Sequence, residues 1–218
     1  MYSLAIFDMD GVLVNSEATF KRACTDALHR WGVYPEYDEF TPYTGMGDTL
    51  YIGEVARAHG AEFTFDMVDE AYRLYGEYAA QTLKVFPWSQ PVLEGLHAAG
   101  VPLCVASSAG RFKVDTNLRC IGVDPSIFKC VITGDMVEKK KPAPDIFLAA
   151  ADKCGAEAGK CLVFEDALSG VRAAKAAGMT ACAVTTSFDR EKLLSVGADF
   201  VFDGLSDAAN SLFGVCIK

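Results

Sequence analysis

The 218-residue chain lacks the cysteine patterns that mark metal or redox sites. Its eight cysteines are scattered, and no two of them form a CxxC pair or stand at a Cys/His ligand spacing. Several lie inside apolar runs such as "LCVAS" and "ACAV". Because free cysteine is among the most buried residue types and disulfides are rare in the cytoplasm, we interpret them as reduced core residues of a cytoplasmic protein.

Long apolar runs and clustered positive charge are also missing. No run approaches the ~18 apolar residues that a membrane helix needs, and the N-terminus does not read as a secretory leader. The net charge is -9, and the one basic cluster, Lys139 to Lys141, is short. A phosphate backbone is bound by many Lys and Arg residues, so neither a membrane nor a nucleic acid is an expected partner.

What the chain does contain is an alternation of short apolar runs with helical patterns. Nearly continuous apolar strands that alternate with helices predict a parallel sheet covered on both faces, a doubly wound α/β fold of the Rossmann-like kind. The predicted strands are "LAIFDMD" near the N-terminus, then 101 to 107, 129 to 134, 160 to 166, 181 to 186 and 199 to 203. The predicted helices among them are Pro91 to Ala99, Phe112 to Ile121, Asp145 to Lys153 and Leu168 to Ala177.

The first strand is followed by a helical insertion instead of a short crossover. Three helical patterns, Glu17 to Trp31, Thr49 to His59 and Met67 to Leu83, occupy residues 14–83. We therefore predict a core of residues 1–13 and 84–218 and a helical cap of residues 14–83. Both ends of such an insertion leave the carboxyl edge of the sheet, so the cap would lie over the edge where ligands bind in this fold class.

Polar residues that can carry chemistry follow four of the predicted strands. Because the carboxyl ends of parallel strands share one edge, we expect these residues to form one site. Several carboxylates so close together would repel each other, and a divalent cation removes that cost; Mg²⁺ suits oxygen ligands completed by a phosphate. The residues are Asp8 and Asp10, Ser107 and Ser108, Lys141, and Glu165 and Asp166.

The set suggests roles for phosphoryl transfer. Asp8 can act as a nucleophile that forms an aspartyl-phosphate. Asp10 can protonate the leaving alcohol and later take a proton from water. Lys141 and Ser107 can stabilise the charge that develops on the transferring group.

The segments "FDMDGVLVNSE", "VASS", "KKKPAPDIF" and "FEDALSGVRAAKAAGM" resemble the four motifs of the haloacid dehalogenase superfamily, in the subgroup with a helical cap that includes β-phosphoglucomutase and sugar-phosphate phosphatases. The resemblance implies that Asp8 is nucleophile and metal ligand and that Asp10 is the acid/base and binds the metal through its carbonyl. Ser107, with Ser108 beside it, and Lys141 would hold the phosphoryl group. Asp166 would be the main further metal carboxylate, with Glu165 as a helper.

The resemblance also gives candidate substrate contacts, because related caps reach the substrate through the segment "YTGMGDTL". Gly45 and Asp48 lie in it, and Arg111 follows the Ser107 loop. Plainer roles stay open for several residues. Asp48 and Ser108 could be helix N-caps, and Arg111 could be an exposed helix residue. Lys141 could end a solvated basic run, and Glu165 and Asp166 could be ordinary acids at a helix N-terminus.

The expected function is magnesium-dependent hydrolysis of a small phosphate monoester, with a sugar phosphate as the expected substrate class. A mutase of this subgroup carries a histidine on the first cap helix and an arginine in the cap loop, where this chain has Phe20 and Asp48. A sugar phosphate mutase is therefore the second interpretation. A non-catalytic regulatory protein on the same fold is the third. The oligomeric state is not readable from the sequence.

Overall fold

A computed structural model describes residues 2–43 and 47–217. The strands of this part of the chain are β1 Leu4–Phe7, β2 Val14–Asn15, β3 Lys84–Val85, β4 Leu103–Ala106, β5 Phe128–Ile132, β6 Cys161–Glu165, β7 Thr180–Val184 and β8 Phe200–Phe202. Six of them form a parallel main sheet in the order β5-β4-β1-β6-β7-β8, and β2 pairs with β3 in a separate antiparallel ribbon. The predicted parallel α/β sheet is thus confirmed.

Three α-helices follow β2 in succession, and from β3 onward one α-helix follows each strand. The helices are α1 Glu17–Leu28, α2 Asp48–Ala58, α3 Phe65–Thr82, α4 Ser89–Ala98, α5 Arg111–Ile121, α6 Asp145–Cys154, α7 Leu168–Ala176, α8 Arg190–Ser195 and α9 Leu205–Phe213. The predicted pattern Glu17 to Trp31 ends as an α-helix at Leu28 and continues as a 3₁₀ turn, His29–Trp31.

The side chains of β1 show why both faces of the sheet are covered. Successive residues of a strand point to opposite faces. Ala5 and Phe7 belong to an apolar cluster with residues of α4, α5 and α9, whereas Leu4 and Ile6 belong to a second cluster with residues of α6, α7 and α8. The sheet is therefore doubly wound, as predicted, and its central strand is buried on both sides.

A third apolar cluster belongs to the inserted helices. It is formed by buried residues of α1, α2, α3 and the segments between them, among them Phe20, Tyr51 and Tyr75. The β2–β3 ribbon joins the two connections between this unit and the sheet, and Ser89 Oγ donates to the Leu13 carbonyl at 2.6 Å beside it. The division at residues 13/14 and 83/84 stays a prediction.

Helices α8 and α9 and the β2–β3 ribbon are not among the predicted elements. Strands of two residues are too short to show an alternating pattern, and α8 has six residues, most of them polar. Among the helices of the described residues, none combines the length and the apolar character needed to cross a bilayer.

Candidate active site

A cavity of about 750 Å³ lies between the carboxyl edge of the sheet and the inserted helices. Eight of the residues singled out from the sequence line it: Asp8, Asp10, Asp48, Ser107, Ser108, Lys141, Glu165 and Asp166. Arg111 is not among the described lining residues, and Gly45 lies outside the part of the chain that the structure describes. The four strand-end groups, which are far apart in sequence, thus meet in one place.

The centre of the cavity is a buried cluster of two carboxylates and one ammonium group. Lys141 Nζ donates to Asp8 Oδ1 and to Glu165 Oε1, each at 2.5 Å. Burial raises the pKa of Asp8 to about 7, although Lys141 opposes the shift, and Glu165 adds to it. Burial alone would lower the pKa of Lys141, but Asp8 and Glu165 raise it above its usual value. Lys141 is therefore a fixed cation beside Asp8, and not the end of a solvated run.

Glu165 holds this lysine in place. Its second oxygen, Oε2, accepts the backbone N–H groups of Asp166 and Ala167, each at 2.9 Å. Gly170 lies directly against the carboxylate, so a Cβ at that position would overlap it. Both oxygens of Glu165 are thus engaged by the protein. This geometry makes Glu165 a positioning residue for Lys141 and gives no support to its predicted role as a metal ligand.

Asp10 lies at the mouth of the site and has two partners. Ser16 Oγ donates to its Oδ1, and Lys113 Nζ donates to its Oδ2 at 3.1 Å. Lys113 is buried, with its ammonium group 4.2 Å from the ring centroid of Phe20. Burial alone would lower the pKa of Lys113, but Asp10, Asp48 and Tyr75 raise it. The Asp10 carboxylate is therefore held in one orientation by a cation and a hydroxyl group.

Ser107 follows β4 directly and is buried. Its backbone N–H donates to the Ile132 carbonyl at 3.0 Å, and its Oγ accepts the backbone N–H of Ala109 at 3.2 Å. Ser108 lines the cavity and is partly exposed. The N-cap of α5 is Gly110, and no side chain caps this helix. The interpretation of Ser108 as the helix N-cap is therefore wrong.

Asp48 also has a different role from the N-cap that its position suggests. It is the first residue of α2, whose N-cap is Gly47, and its side chain reaches away from the helix end. Asp48 Oδ2 accepts the hydroxyl of Tyr72 at 2.6 Å and the backbone N–H of Gly110 at 3.4 Å. The same N–H donates to the Tyr72 oxygen at 3.1 Å. Two cap helices are thus connected to the loop that follows Ser107.

Arg111 takes the plainer of its two interpretations. Its guanidinium pairs with Asp115 at 2.8 Å, one turn further along α5, and the side chain is largely exposed. It lines a second depression of about 560 Å³, on the other side of Gly110, together with Asp135. The described geometry thus places Arg111 outside the main cavity.

The donor groups around Asp8 fit a hard divalent cation. Burial, Glu165 and Asp8 together raise the pKa of Asp166 well above its usual range. Gly11 packs so closely on the Asp166 carboxylate that a Cβ at position 11 would overlap it. The backbone that follows Asp10 therefore lies against the Asp166 side chain. Buried carboxylates with raised pKa values are the groups that a cation stabilises, and oxygen donors suit Mg²⁺. Asp8, Asp166 and the Asp10 carbonyl are the residues that would hold it.

Three groups of the site, Ser16, Lys113 and Ser187, are absent from the residues that sequence reasoning identified. Lys113 occupies a buried position in α5, and its only sequence signal is a charge beside the apolar positions of that helix. Ser187 follows β7 and donates to Asp166 Oδ2. The position of Ser187 directly after "ACAVTT", a predicted strand, could have indicated a site residue. A serine in a loop has many other roles, however, so the signal is weak.

Comparisons with known proteins give relatives over nearly the whole chain. It is 38% identical over 209 residues to the chloroplastic protein SUPPRESSOR OF QUENCHING 1 of Arabidopsis thaliana, covering 94% of this chain and 20% of that protein. The chain thus spans about a fifth of the length of this relative. It is 31% identical to validoxylamine A 7'-phosphate phosphatase of Streptomyces hygroscopicus subsp. limoneus, covering 95% of this chain and 96% of that enzyme.

Solved structures and a family model agree with these relatives. CbbY of Rhodobacter sphaeroides in complex with phosphate superposes with a TM-score of 0.82 at 26% identity, over 94% of this chain and 95% of that one. The model of the haloacid dehalogenase-like hydrolases matches residues 2–178. The predicted resemblance is thus confirmed, and the chain belongs to the haloacid dehalogenase-like hydrolases.

Proposed function

We propose that the protein is a magnesium-dependent phosphatase that hydrolyses a small phosphate monoester, with a sugar phosphate as the substrate class, through an aspartyl-phosphate. The observation that carries the proposal is the contact of Asp8 with the fixed ammonium group of Lys141 in the same cavity as an oriented Asp10. A nucleophile, a phosphate-binding cation and a proton-transfer group are what phosphoryl transfer to a side chain needs.

The groups of the site divide the reaction among them. Asp8 attacks phosphorus, and Asp10 gives a proton to the leaving alcohol. In the second half, Asp10 takes a proton from the water that attacks the aspartyl-phosphate. Lys141 and the Ser107 hydroxyl bind the phosphoryl oxygens as their charge develops. A bound Mg²⁺ supplies further charge neutralisation for these oxygens and for the carboxylates around them.

The size and lining of the cavity favour a small substrate. About 750 Å³ accommodates a molecule of metabolite size, and cap residues such as Thr41, Tyr43 and Tyr51 line its outer part. A relative that this chain nearly spans is named as a phosphatase of a phosphorylated metabolite, and a solved CbbY variant at 25% identity holds xylulose-1,5-bisphosphate. These relatives support a phosphorylated small molecule, without selecting one.

The mutase alternative gains little support from the cavity. Phe20 is buried against the Lys113 ammonium group and the rings of Tyr51 and Tyr75. No histidine lines the cavity in the described residues. Asp48 is already engaged by Tyr72, and its negative charge would repel a distal phosphate. We therefore prefer hydrolysis of a phosphate ester to transfer of a phosphoryl group between two positions of a sugar.

The test is turnover of p-nitrophenyl phosphate by the full chain with Mg²⁺, followed by a panel of sugar, polyol and nucleotide monophosphates. We expect release of inorganic phosphate that stops with EDTA and returns with added Mg²⁺. A folded, magnesium-loaded protein without turnover on any ester would contradict the proposal and favour a regulatory role. Bisphosphate-primed isomerisation of β-glucose 1-phosphate with little free phosphate would favour the mutase.

The connection between the cap and the Ser107 loop gives a prediction about substrate selection. The Tyr72 hydroxyl donates to Asp48 and accepts from the Gly110 N–H, and each of these hydrogen bonds contributes about 0.5–1.5 kcal/mol, so Tyr72→Phe should weaken the connection between the cap and the Ser107 loop by about five- to a hundredfold. We expect kcat/KM for the best metabolite substrate to fall by that factor, with a smaller change for p-nitrophenyl phosphate, which needs fewer cap contacts.

Tyr78→Phe is the matched control, because the Tyr78 hydroxyl donates to Asp26 at 2.9 Å within the cap itself. It removes the same atom without touching the core. Equal losses of kcat/KM in the two variants would contradict the role of Tyr72 as a connection between cap and core.

A further inference from the structure

Three cysteine side chains meet on the face of the sheet that α6 covers. Cys104 lies in β4, Cys130 lies in β5, and Cys154 is the last residue of α6. Cys130 Sγ is 3.1 Å from Cys104 Sγ and 3.0 Å from Cys154 Sγ. All three sulfur atoms lie within 4.8 Å of one another. None of the three lines the catalytic cavity in the described residues.

Tertiary structure alone creates this cluster. The cysteines are 26 and 24 positions apart, so they form no sequence motif. Cys104 and Cys130 are register partners in neighbouring parallel strands, and their side chains therefore point to the same face. The end of α6 brings Cys154 over them. Cys104 is fully buried, whereas Cys130 and Cys154 are partly exposed, which leaves one side of the cluster open to a ligand.

We propose that Cys104, Cys130 and Cys154 form a binding site for one divalent thiophilic cation of the zinc class, held by three sulfur ligands with a fourth position open to solvent. This site is separate from the oxygen-lined cavity and from the proposed phosphatase reaction.

The number of sulfur atoms favours a metal over a disulfide. A disulfide would use two of the three thiols and leave the third without a partner, whereas a cation uses all three. Zn–S bonds of about 2.3 Å in a tetrahedral site place the sulfur atoms about 3.8 Å apart, so the cluster has to widen by roughly 0.7 Å. Cys130 lies on the edge strand and Cys154 at a helix end, and both are only partly buried.

The protonation of the cluster fits this role. Hydrogen bonds donated by Cys104 and Cys130, together with the charge of Lys129, lower the pKa of Cys154 to about 6 against the opposing effect of burial. Binding of a divalent cation forms three metal–sulfur bonds and releases to solvent the protons that the three thiols still carry. The complex then carries one net negative charge near exposed Lys129.

Cadmium titration of the reduced full-chain protein, with Mg²⁺ present, tests the site. We expect the ultraviolet charge-transfer band of cadmium–thiolate bonds to saturate at one equivalent, with release of protons from the thiols. Oxygen ligands give no such band, so metal in the catalytic cavity does not contribute. Zinc should compete for the site and should raise the Tm of the protein, because it binds the folded state.

Variants identify the ligands. Cys130→Ser and Cys154→Ser should each lower the cadmium affinity at least about tenfold and remove the Tm shift. Cys24→Ser, in the cap, is the control and should leave both unchanged. Phosphatase turnover with Mg²⁺ should stay the same in all three variants, so this test is independent of the proposed function.

Three results would overturn the proposal. They are the absence of a stoichiometric band, a band that persists in both Cys130→Ser and Cys154→Ser, and a protein that forms a Cys130–Cys154 disulfide under peroxide while its reduced form binds no cadmium.

Discussion

Asp8→Asn should abolish phosphatase turnover, with a loss of at least about a thousandfold, while the protein stays folded. Asn has nearly the shape of Asp, but its amide is not a nucleophile, so no aspartyl-phosphate can form. The residual rate would come from binding and from the charges of the other groups alone. Glu165 also contacts Lys141, but both of its oxygens are already engaged by the protein, so it is not placed to replace Asp8 as the nucleophile.

The same variant has a pH signature in the metal-free protein. Burial raises the pKa of Asp8 from 3.8 to about 7. A carboxyl group whose pKa is higher in the folded than in the unfolded state lowers the free energy of unfolding once it is ionised. The stability of the unmodified protein should therefore fall as the pH rises from about 4 to about 7. Asn carries no charge at any pH. We therefore expect chelator-treated Asp8→Asn to match the unmodified protein near pH 4 and to exceed its Tm near pH 8.

The measurements are steady-state turnover, Tm at both pH values, and the mass of acid-quenched protein, which should show a phosphoryl group on the peptide that contains Asp8. Asp152→Asn, at an exposed position of α6, makes the same change of charge away from the site and should leave turnover unchanged. Full activity in a folded Asp8→Asn protein would show that the nucleophile is another group.

The sheet was predictable because each of its strands carries a nearly continuous apolar run. "AIF" in β1 and "LVF" in β6 are buried on both faces, and such runs have few alternatives to a central parallel strand. Burial on both faces agrees with the position of β1 and β6 in the middle of the sheet, whereas the order of the strands was not predicted. The β2–β3 ribbon was not predictable in this way. It is accompanied by tertiary contacts such as the hydrogen bond between Ser89 and Leu13, which no local sequence pattern indicates.

Site residues that follow a strand were predictable from the sequence. Site residues that lie on the face of a helix were not. Asp8, Ser107 and Asp166 follow strands, so topology alone brings them together. Lys113 reaches Asp10 only because α5 packs beside β1 and below the cap. Its charge is stabilised by tertiary neighbours, and the sequence around it reads as an ordinary amphipathic helix.

Partner choice was the least predictable property. The sequence placed Glu165 beside the metal and Asp48 at a helix cap, and each has several nearby partners, Glu165 at the end of β6 and Asp48 at the start of α2. In the structure, Glu165 binds Lys141 and two backbone N–H groups, and Asp48 binds Tyr72. Which hydrogen bond forms depends on differences of about a kcal/mol between neighbours, which only the assembled fold determines.

Replacing Lys141 by Met should have the second large effect, on activity and on stability together. The ammonium group is the shared partner of two buried carboxylates, Asp8 and Glu165. Removing one member of a buried ion cluster costs about 3–5 kcal/mol of unfolding free energy, because the remaining charges are left without compensation. Loss of the cation that binds the phosphoryl oxygens should also lower kcat by about a hundred- to a thousandfold.

Lys175→Met is the matched control. Lys175 pairs with Asp199 on the surface, at 2.6 Å, and both side chains are about a third exposed. Solvent screens such a pair, so its removal should cost no more than about 1 kcal/mol and leave kcat unchanged. Urea unfolding of both variants in chelator, compared with the unmodified protein, gives the two free-energy changes.

The double variant Lys141→Met/Glu165→Gln separates the two roles of the lysine. Glu165 is 1% exposed, so in Lys141→Met its charge is the costliest group left behind. Gln removes that charge and keeps the acceptor oxygen for the N–H groups of Asp166 and Ala167. Stability should therefore recover by about half or more of the loss, since leaving a buried charge unpaired is what makes the single change expensive. Turnover should not recover, because no cation has returned beside Asp8. A double variant that regains activity together with stability would mean that Lys141 acts on folding alone. A double variant that regains neither would contradict the role of Glu165 as the partner of this lysine.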